Sequence, residues 1–387
     1  MKIKYGRQNV TKNDIAAVVD VLQSDLLTQG PVVPMFEQAI CDFVGAKYAV
    51  AANSATSALH VACMALDLGP GDILWTSPNT FVATSNAAIY CGAKVDFVDI
   101  DKNTYNISLI DLKKRLEIAK KNNKLPKIVV PVHLSGQSCE MKEIKELSVQ
   151  YGFRIIEDAS HAIGAKYQDN NVGCCEYSDI TVFSFHPVKI ITTGEGGMAL
   201  TNDPEIFNRL QRYRSHGITA NIHEMSDRPA NEIWNYQQID LGYNYRMTDI
   251  AASLGLSQLS RLEEIVKKRH LIAQRYDRDL SSLPLTIPFQ HKDAYSSYHL
   301  YIIRLNLDKI TKSQPQIFRE MYENGIMVNL HYIPVYRQPF YEKMGFKKGY
   351  CPESESYHQE ALSIPMYPTL TSEEQDYVIN KFHEIVI

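Results

Sequence analysis

Short apolar runs that do not alternate recur through the first half of the chain, and they constrain its fold more than any other feature. Residues 73–77, 94–98, 127–132 and 154–157 are such runs, built mainly from Ile, Leu, Val, Phe and Trp. A strand with one face in water alternates polar and apolar residues, whereas a run that is apolar throughout is buried on both faces. Stretches with helical spacing lie between the runs. Strand–helix alternation of this kind predicts a mainly parallel sheet covered by helices on both sides. Helices are expected at 13–23, with Asn13 as cap, at 35–44, and from the small polar residues 53–57 through 66. Further strands are expected at 47–51, 181–185 and 198–201, and Gly69-Pro70-Gly71-Asp72 is turn chemistry.

The pattern changes near residue 250. Residues 250–275 read as one long helix rich in Leu, Lys, Arg and Glu. Strand-like runs follow at 298–305 and 328–333, with a helix at 314–324 between them. The expected organisation is a large domain over 1–250 and a smaller α+β domain over 251–387. A chain of 387 residues is long enough for both.

Charge and composition exclude several functions. With 40 basic and 44 acidic residues the formal net charge is −4, which exerts no general pull on nucleic acid or an anionic membrane. No apolar run approaches the roughly 20 residues of a membrane span, and the N-terminal residues lack a secretory h-region. A soluble cytoplasmic protein is expected. The seven cysteines show no CxxC or Cys/His ligand spacing, so they read as free thiols with no metal site.

Ligands of open α/β sheets gather at the carboxyl ends of strands, and four such ends carry unusual residues. Asp158 closes an apolar strand in Glu157-Asp158-Ala159-Ser160-His161, where a carboxylate needs a cation or donors. A protonated pyridine nitrogen would supply that cation. His161, three residues on, can pack on a ring or bond its phenolic oxygen. Lys189 follows the strand 181–185 in Ser184-Phe185-His186-Pro187-Val188-Lys189, and a lysine in apolar surroundings becomes a nucleophilic amine. Ser184 can donate to a phosphate. Gly194-Glu195-Gly196-Gly197 allows a tight reversal. Residues 53–57 open a helix whose free N–H groups suit an anion. Each segment alone also has an ordinary reading: a capping Asp, a surface lysine, a turn, a simple helix cap. Together they supply a phosphate site, a pyridinium partner and an amine, the set that pyridoxal phosphate (PLP) requires.

These segments, with Leu27-Thr28-Gln29-Gly30-Pro31 and Gly242-Tyr243-Asn244-Tyr245-Arg246-Met247-Thr248-Asp249, resemble the DegT/DnrJ/EryC1/StrS family of nucleotide-sugar aminotransferases nearly end to end. The resemblance implies the fold of aspartate aminotransferase: α/β, PLP-dependent transferase fold type I, with a mostly parallel central sheet in a large domain and a smaller α+β C-terminal domain. It implies that Lys189 bonds the cofactor and shuttles protons, and that Asp158 holds the pyridine nitrogen. Thr56, the backbone of Ala55, and Ser184 would bind the phosphate. Phe81 would stack on the ring, and His161 would sit beside it. Asn244 would reach the cofactor of a neighbouring subunit, which makes the enzyme a homodimer with shared sites. Within the family the stretches 75–83, 184–197 and 329–336 are most similar to members that aminate C4 of a UDP-linked 4-keto-6-deoxy-N-acetylhexosamine in pseudaminic acid biosynthesis, with L-glutamate as donor. Those members often carry His where this chain has Tyr336. Arg7, Thr28 and His331 are the expected substrate contacts. Other readings are a different nucleotide-4-ketosugar (TDP-4-keto-6-deoxyhexose or UDP-4-keto-pentose), a sugar dehydratase, and a PLP-binding regulator. Lys189 argues against the dehydratases, which resemble this chain but carry His at that position.

Overall fold

The computed structural model describes residues 2–226 and 231–386. Seven strands build the central sheet: β1 (Tyr48–Ala52), β2 (Ile73–Thr76), β3 (Lys94–Phe97), β4 (Ile128–Val130), β5 (Arg154–Asp158), β6 (Ile180–Ser184) and β7 (Gly197–Thr201). Their order across the sheet is β1-β7-β6-β5-β4-β2-β3. All neighbours are parallel except β7, which is antiparallel to both β1 and β6. Only a loop joins β6 to β7, and a chain that returns without a crossover helix must run back. The expected α/β fold with a mostly parallel sheet is the one that forms.

Helices α2 (Val32–Val44), α3 (Ala55–Ala65) and α4 (Val82–Tyr90) cover part of the sheet, while α1 (Lys12–Leu22) packs on the helix Asp249–Leu259. The cap of α1 is Thr11, not the expected Asn13. Thr11 and Asp14 exchange side-chain bonds with each other's N–H groups in a capping box, which starts the helix earlier. Gly45 ends α2 in the left-handed region, with its N–H on the Cys41 carbonyl at 2.8 Å.

Alternate residues of each strand serve opposite faces. Val50 and Ala52 pack with Ala58, Leu59 and Ala62 of α3 and Ala87 of α4. Ala49 and Ala51 face Phe36, Ile40 and Val44 of α2. On β5, Ile156 belongs to the α3–α4 side, while Ile155 lies among Trp75, Leu112 and Ile144 on the other. Asp158 shares the parity of Ile156, and Glu157 that of Ile155. The strand therefore ends in two carboxylates on opposite faces.

The stretch expected as one helix over 250–275 is two, Asp249–Leu259 and Leu262–Leu280. At the break the Ser260 hydroxyl bonds the Ser257 carbonyl at 2.7 Å, a side-chain bond that competes with the helical ladder, and Arg261 is tied to the Asp14 carboxylate. The second helix spans two cores. Leu262, Ile265 and Val266 pack with α2, and Ile272, Tyr276 and Leu280 pack with Tyr301, Leu362 and Phe382. Ile3 is buried in that latter core, where Ile3–Lys4 pairs with Ile326–Met327. The expected strand over 328–333 is not one. Beyond Met327 the Asn329 side chain takes the Leu330 N–H at 2.8 Å and His331 Nδ1 meets the Ser363 hydroxyl at 2.8 Å, leaving a single bridge between Asn329 and Ser363.

Candidate active site

Asp158 stands at the end of β5 on the α3–α4 face, almost fully buried. Two neutral donors meet it: the Thr84 hydroxyl reaches Oδ2 at 2.6 Å and the Ser160 N–H reaches Oδ1 at 3.1 Å. A carboxylate can accept about four bonds, so capacity is left over. Lys189 lies in the loop after β6, where its N–H bonds the His186 carbonyl at 2.9 Å. Its side chain keeps some solvent exposure, yet burial pushes the amine down to about 8 from its ordinary 10.5. The Asp158 charge acts in the opposite direction. The two groups thus feel each other without forming an ion pair.

The sheet register sets the neighbouring wall. Ala52, Gly197 and Ser184 lie side by side at the ends of β1, β7 and β6. Helix α3 begins just past β1, and its cap Ser54 takes the Ser57 N–H at 3.1 Å. Ala55 and Thr56 fall in the first turn, whose N–H groups have no helical partner and favour an anion. Gly197 permits this close approach, since a side-chain carbon there would stand 2.4 Å from the Ala55 nitrogen. Ser184 is buried beside it, and its hydroxyl lies 3.5 Å from the His186 N–H.

Phe81 caps α4 with 59% of its surface exposed, an open flat face at the rim, 6.3 Å from the Tyr332 ring. His161 is buried, with Nδ1 3.3 Å from the Ser135 N–H and Nε2 3.2 Å from the Tyr332 hydroxyl. Burial, then the charges of Lys189 and His331, hold it well below the usual histidine range. His331 is buried too, pushed down to about 3 by burial and the Lys189 charge. A buried amine, a carboxylate with spare acceptors, an anion-binding helix start and an open aromatic face fit a flat aldehyde that bears a phosphate and a protonated ring nitrogen.

Other expected residues sit further out. Arg7 is exposed; its neighbour Gly6 lies against Val188 and its charge is felt at Tyr367. Thr28 is exposed and its backbone bridges to Thr248. Asn244 is exposed, and its carbonyl accepts from the Asn53 amide at 3.4 Å. Tyr336 is wholly buried with its hydroxyl on Glu355 at 2.7 Å.

Three neighbours escaped the sequence reading. Thr84 is the hydroxyl donor to Asp158; its signal was Thr80 one turn earlier, now 2.7 Å away. Tyr332 shares a hydrogen bond with His161. His299 is buried with its ring centroid 4.4 Å from that of His161, and its Nδ1 has no partner among the described residues. No local pattern announces the last two.

Comparison with known proteins agrees with this arrangement. The family model described as DegT/DnrJ/EryC1/StrS aminotransferase family matches residues 8–383. The UDP-4-amino-4,6-dideoxy-N-acetyl-beta-L-altrosamine transaminase of Campylobacter jejuni is 37% identical over 385 residues, covering 99% of this chain and 97% of that protein. Among solved structures, Helicobacter pylori PseC, an aminotransferase involved in the biosynthesis of pseudaminic acid, superposes with a TM-score of 0.91 at 31% identity, covering 100% and 99%. The PLP-form of the putative sugar aminotransferase Spr1654 from Streptococcus pneumoniae gives 0.87 at 27% identity, covering 100% and 98%.

Proposed function

From the premise that this chain belongs to the DegT/DnrJ/EryC1/StrS aminotransferase family, we propose that it is a PLP-dependent enzyme moving the amino group of L-glutamate to C4 of a nucleotide-linked ketosugar. The sugar is a UDP-linked 4-keto-6-deoxy-N-acetylhexosamine, and the product is UDP-4-amino-4,6-dideoxy-N-acetyl-β-L-altrosamine. The observation that carries the cofactor reading is the buried Asp158 carboxylate, left with spare acceptors, facing an amine whose pKa is pushed down to about 8. The choice of sugar is supported by likeness to the Campylobacter and Helicobacter proteins.

Asp158 holds the ring nitrogen in its protonated form. Ala55, Thr56 and Ser184 bind the phosphate, Phe81 covers the ring face and His161 lies at its edge. When bound, the cofactor supplies the electron sink that makes a Cα proton acidic. Lys189 would hold the cofactor through its amine, and as a free amine it would take the Cα proton of the donor and later return one to the sugar carbon. An amine near pKa 8 can do both at neutral pH. Arg7, Thr28 and His331 contact the substrate.

Asn244 completes the site of a second copy, so the enzyme is a homodimer in the cytoplasm. The same segment bares Trp234, Tyr236 and Leu241, apolar area that a second copy would cover. Among the described residues no helix is long and apolar enough to cross a membrane. The division into 1–250 and 251–387 is likewise proposed.

Borohydride reduction of the cofactor-loaded protein followed by peptide mapping tests the lysine: the expected label is on Lys189, and a reducible bond surviving in Lys189→Ala sinks the assignment. A panel of nucleotide-4-ketosugars with glutamate tests the sugar. Amination of a TDP-4-keto-6-deoxyhexose or UDP-4-keto-pentose, but not of the UDP-linked altrosamine precursor, rejects it.

A further inference from the structure

The hydrogen-bond directions around His161 fix where a proton of Tyr332 must go. The ring of His161 is wholly packed in and neutral. Its Nδ1 receives the backbone N–H of Ser135 at 3.3 Å, and a backbone N–H can only donate. Nδ1 is therefore the bare nitrogen and Nε2 carries the hydrogen. That hydrogen points to the Tyr332 hydroxyl at 3.2 Å. The Tyr332 oxygen is thus an acceptor toward His161, and its own O–H must turn elsewhere.

Elsewhere is the site. The Tyr332 ring lies nearly parallel to His161, 6.2 Å away, and 6.3 Å from the exposed ring of Phe81. The groups near Tyr332 come from three segments: Asp158 and His161 at and just past the end of β5, Tyr5 near the N-terminus, and its chain neighbour His331. His161 is the one hydrogen-bond partner of that hydroxyl among the described residues. Burial, then the charge of Asp158, raises the phenol well above its ordinary range, so it stays protonated and remains a donor.

We propose that Tyr332 donates its hydroxyl hydrogen to an oxygen of the ligand held between Lys189 and Asp158. This inference rests on the cofactor reading above. Two oxygens have the required acceptor chemistry, the ring oxygen of the cofactor and the keto oxygen of the sugar. His161 acts through Tyr332 as the positioning residue that aims the proton.

The test is Tyr332→Phe, which keeps the ring beside His161 and Phe81 and removes the hydroxyl. Because the His161 N–H loses its acceptor, the thermal unfolding midpoint is expected to fall slightly, with the variant still folded and loading cofactor. The cofactor-loaded proteins are titrated with pH while the visible band is followed, and each half-reaction is timed in single turnovers. If the acceptor is the cofactor oxygen, the midpoint of the band without substrate rises by about one pH unit in the variant. If it is the keto oxygen, that midpoint stays and the keto-sugar half-reaction slows about tenfold, with the glutamate half-reaction unchanged. A variant whose midpoint and both half-reactions equal the wild type overturns the proposal alone. A wild-type protein that takes up no cofactor and shows no visible band overturns the cofactor reading and this one together.

Discussion

Glu157 and Asp158 are consecutive acids on β5, with 5% and 4% of their surface exposed, and the fold treats them in opposite ways. Glu157 faces the side of Ile155 and meets three donors of the chain. Its Oε2 meets His133 Nε2 at 2.7 Å, and its Oε1 accepts the hydroxyls of Ser178 at 2.5 Å and Thr181 at 3.0 Å. His133 Nδ1 receives the Cys139 N–H at 3.1 Å, so Nε2 carries the hydrogen that goes to Glu157. Burial alone would raise the Glu157 carboxyl, but these donors outweigh it and hold the group low. Asp158, one residue on, has two neutral donors and feels its nearest cation, Lys189, only across a gap. A buried acid with three side-chain donors, one of them a histidine, is part of the scaffold. One with capacity to spare, beside an amine of lowered pKa, is a binding group.

The contrast breaks if the two acids respond alike to mutation. Asp158→Asn is expected to lower kcat/KM about a thousandfold, because the charge opposite the ring nitrogen is lost. Its unfolding midpoint without cofactor should change little, since the amide oxygen can keep the Ser160 N–H and the Thr84 hydroxyl can turn to Thr80. Glu157→Leu should do the reverse. It strands His133, Ser178 and Thr181, and the expected loss of stability is about 3 kcal/mol in denaturant titration, with the specific activity of the folded fraction nearly unchanged. A thousandfold activity loss in Glu157→Leu, or a large stability loss in Asp158→Asn, would end the distinction.

The buried strands and the end of β5 were legible in the sequence, because a run that is apolar throughout marks a strand covered on both faces. Lys189, Asp158 and Ser184 were found because each follows such a run within a few residues. Their supporting groups were not. Thr84 reaches Asp158 across 74 residues of chain and Tyr332 reaches His161 across 171. The stretch 328–333 misled in the same way: its residues look like a strand, but Asn329 and His331 spend their polar groups on side-chain bonds that only the folded chain brings together. Thr84→Val measures how much such a partner contributes. It removes the shortest bond to Asp158 at nearly constant volume and is expected to cost about tenfold in kcat/KM, well short of the effect of Asp158→Asn. An equal effect would mean that Thr84, not the ring-facing charge, dominates the site.

The smallest effect probes the field across the gap. In the cofactor-free protein, the rate at which an amine reagent labels Lys189 should rise with pH around a midpoint of about 8, because burial favours the neutral amine. Asp158 is the group that opposes that shift, so Asp158→Asn should move the midpoint lower still, by less than about one pH unit. Replacing Glu157 should leave it in place, since Glu157 faces away and its charge is balanced by its own donors. The same lysine sets a sign for stability. Between about 8 and its ordinary 10.5 the folded chain binds fewer protons at Lys189 than the unfolded chain does. The contribution of this group to the stability of the cofactor-free protein therefore rises as pH climbs through that window and is lost as pH falls through 8. A midpoint near 10.5 in the wild type, or one that follows Glu157 rather than Asp158, would show that the amine and the carboxylate do not share a cavity.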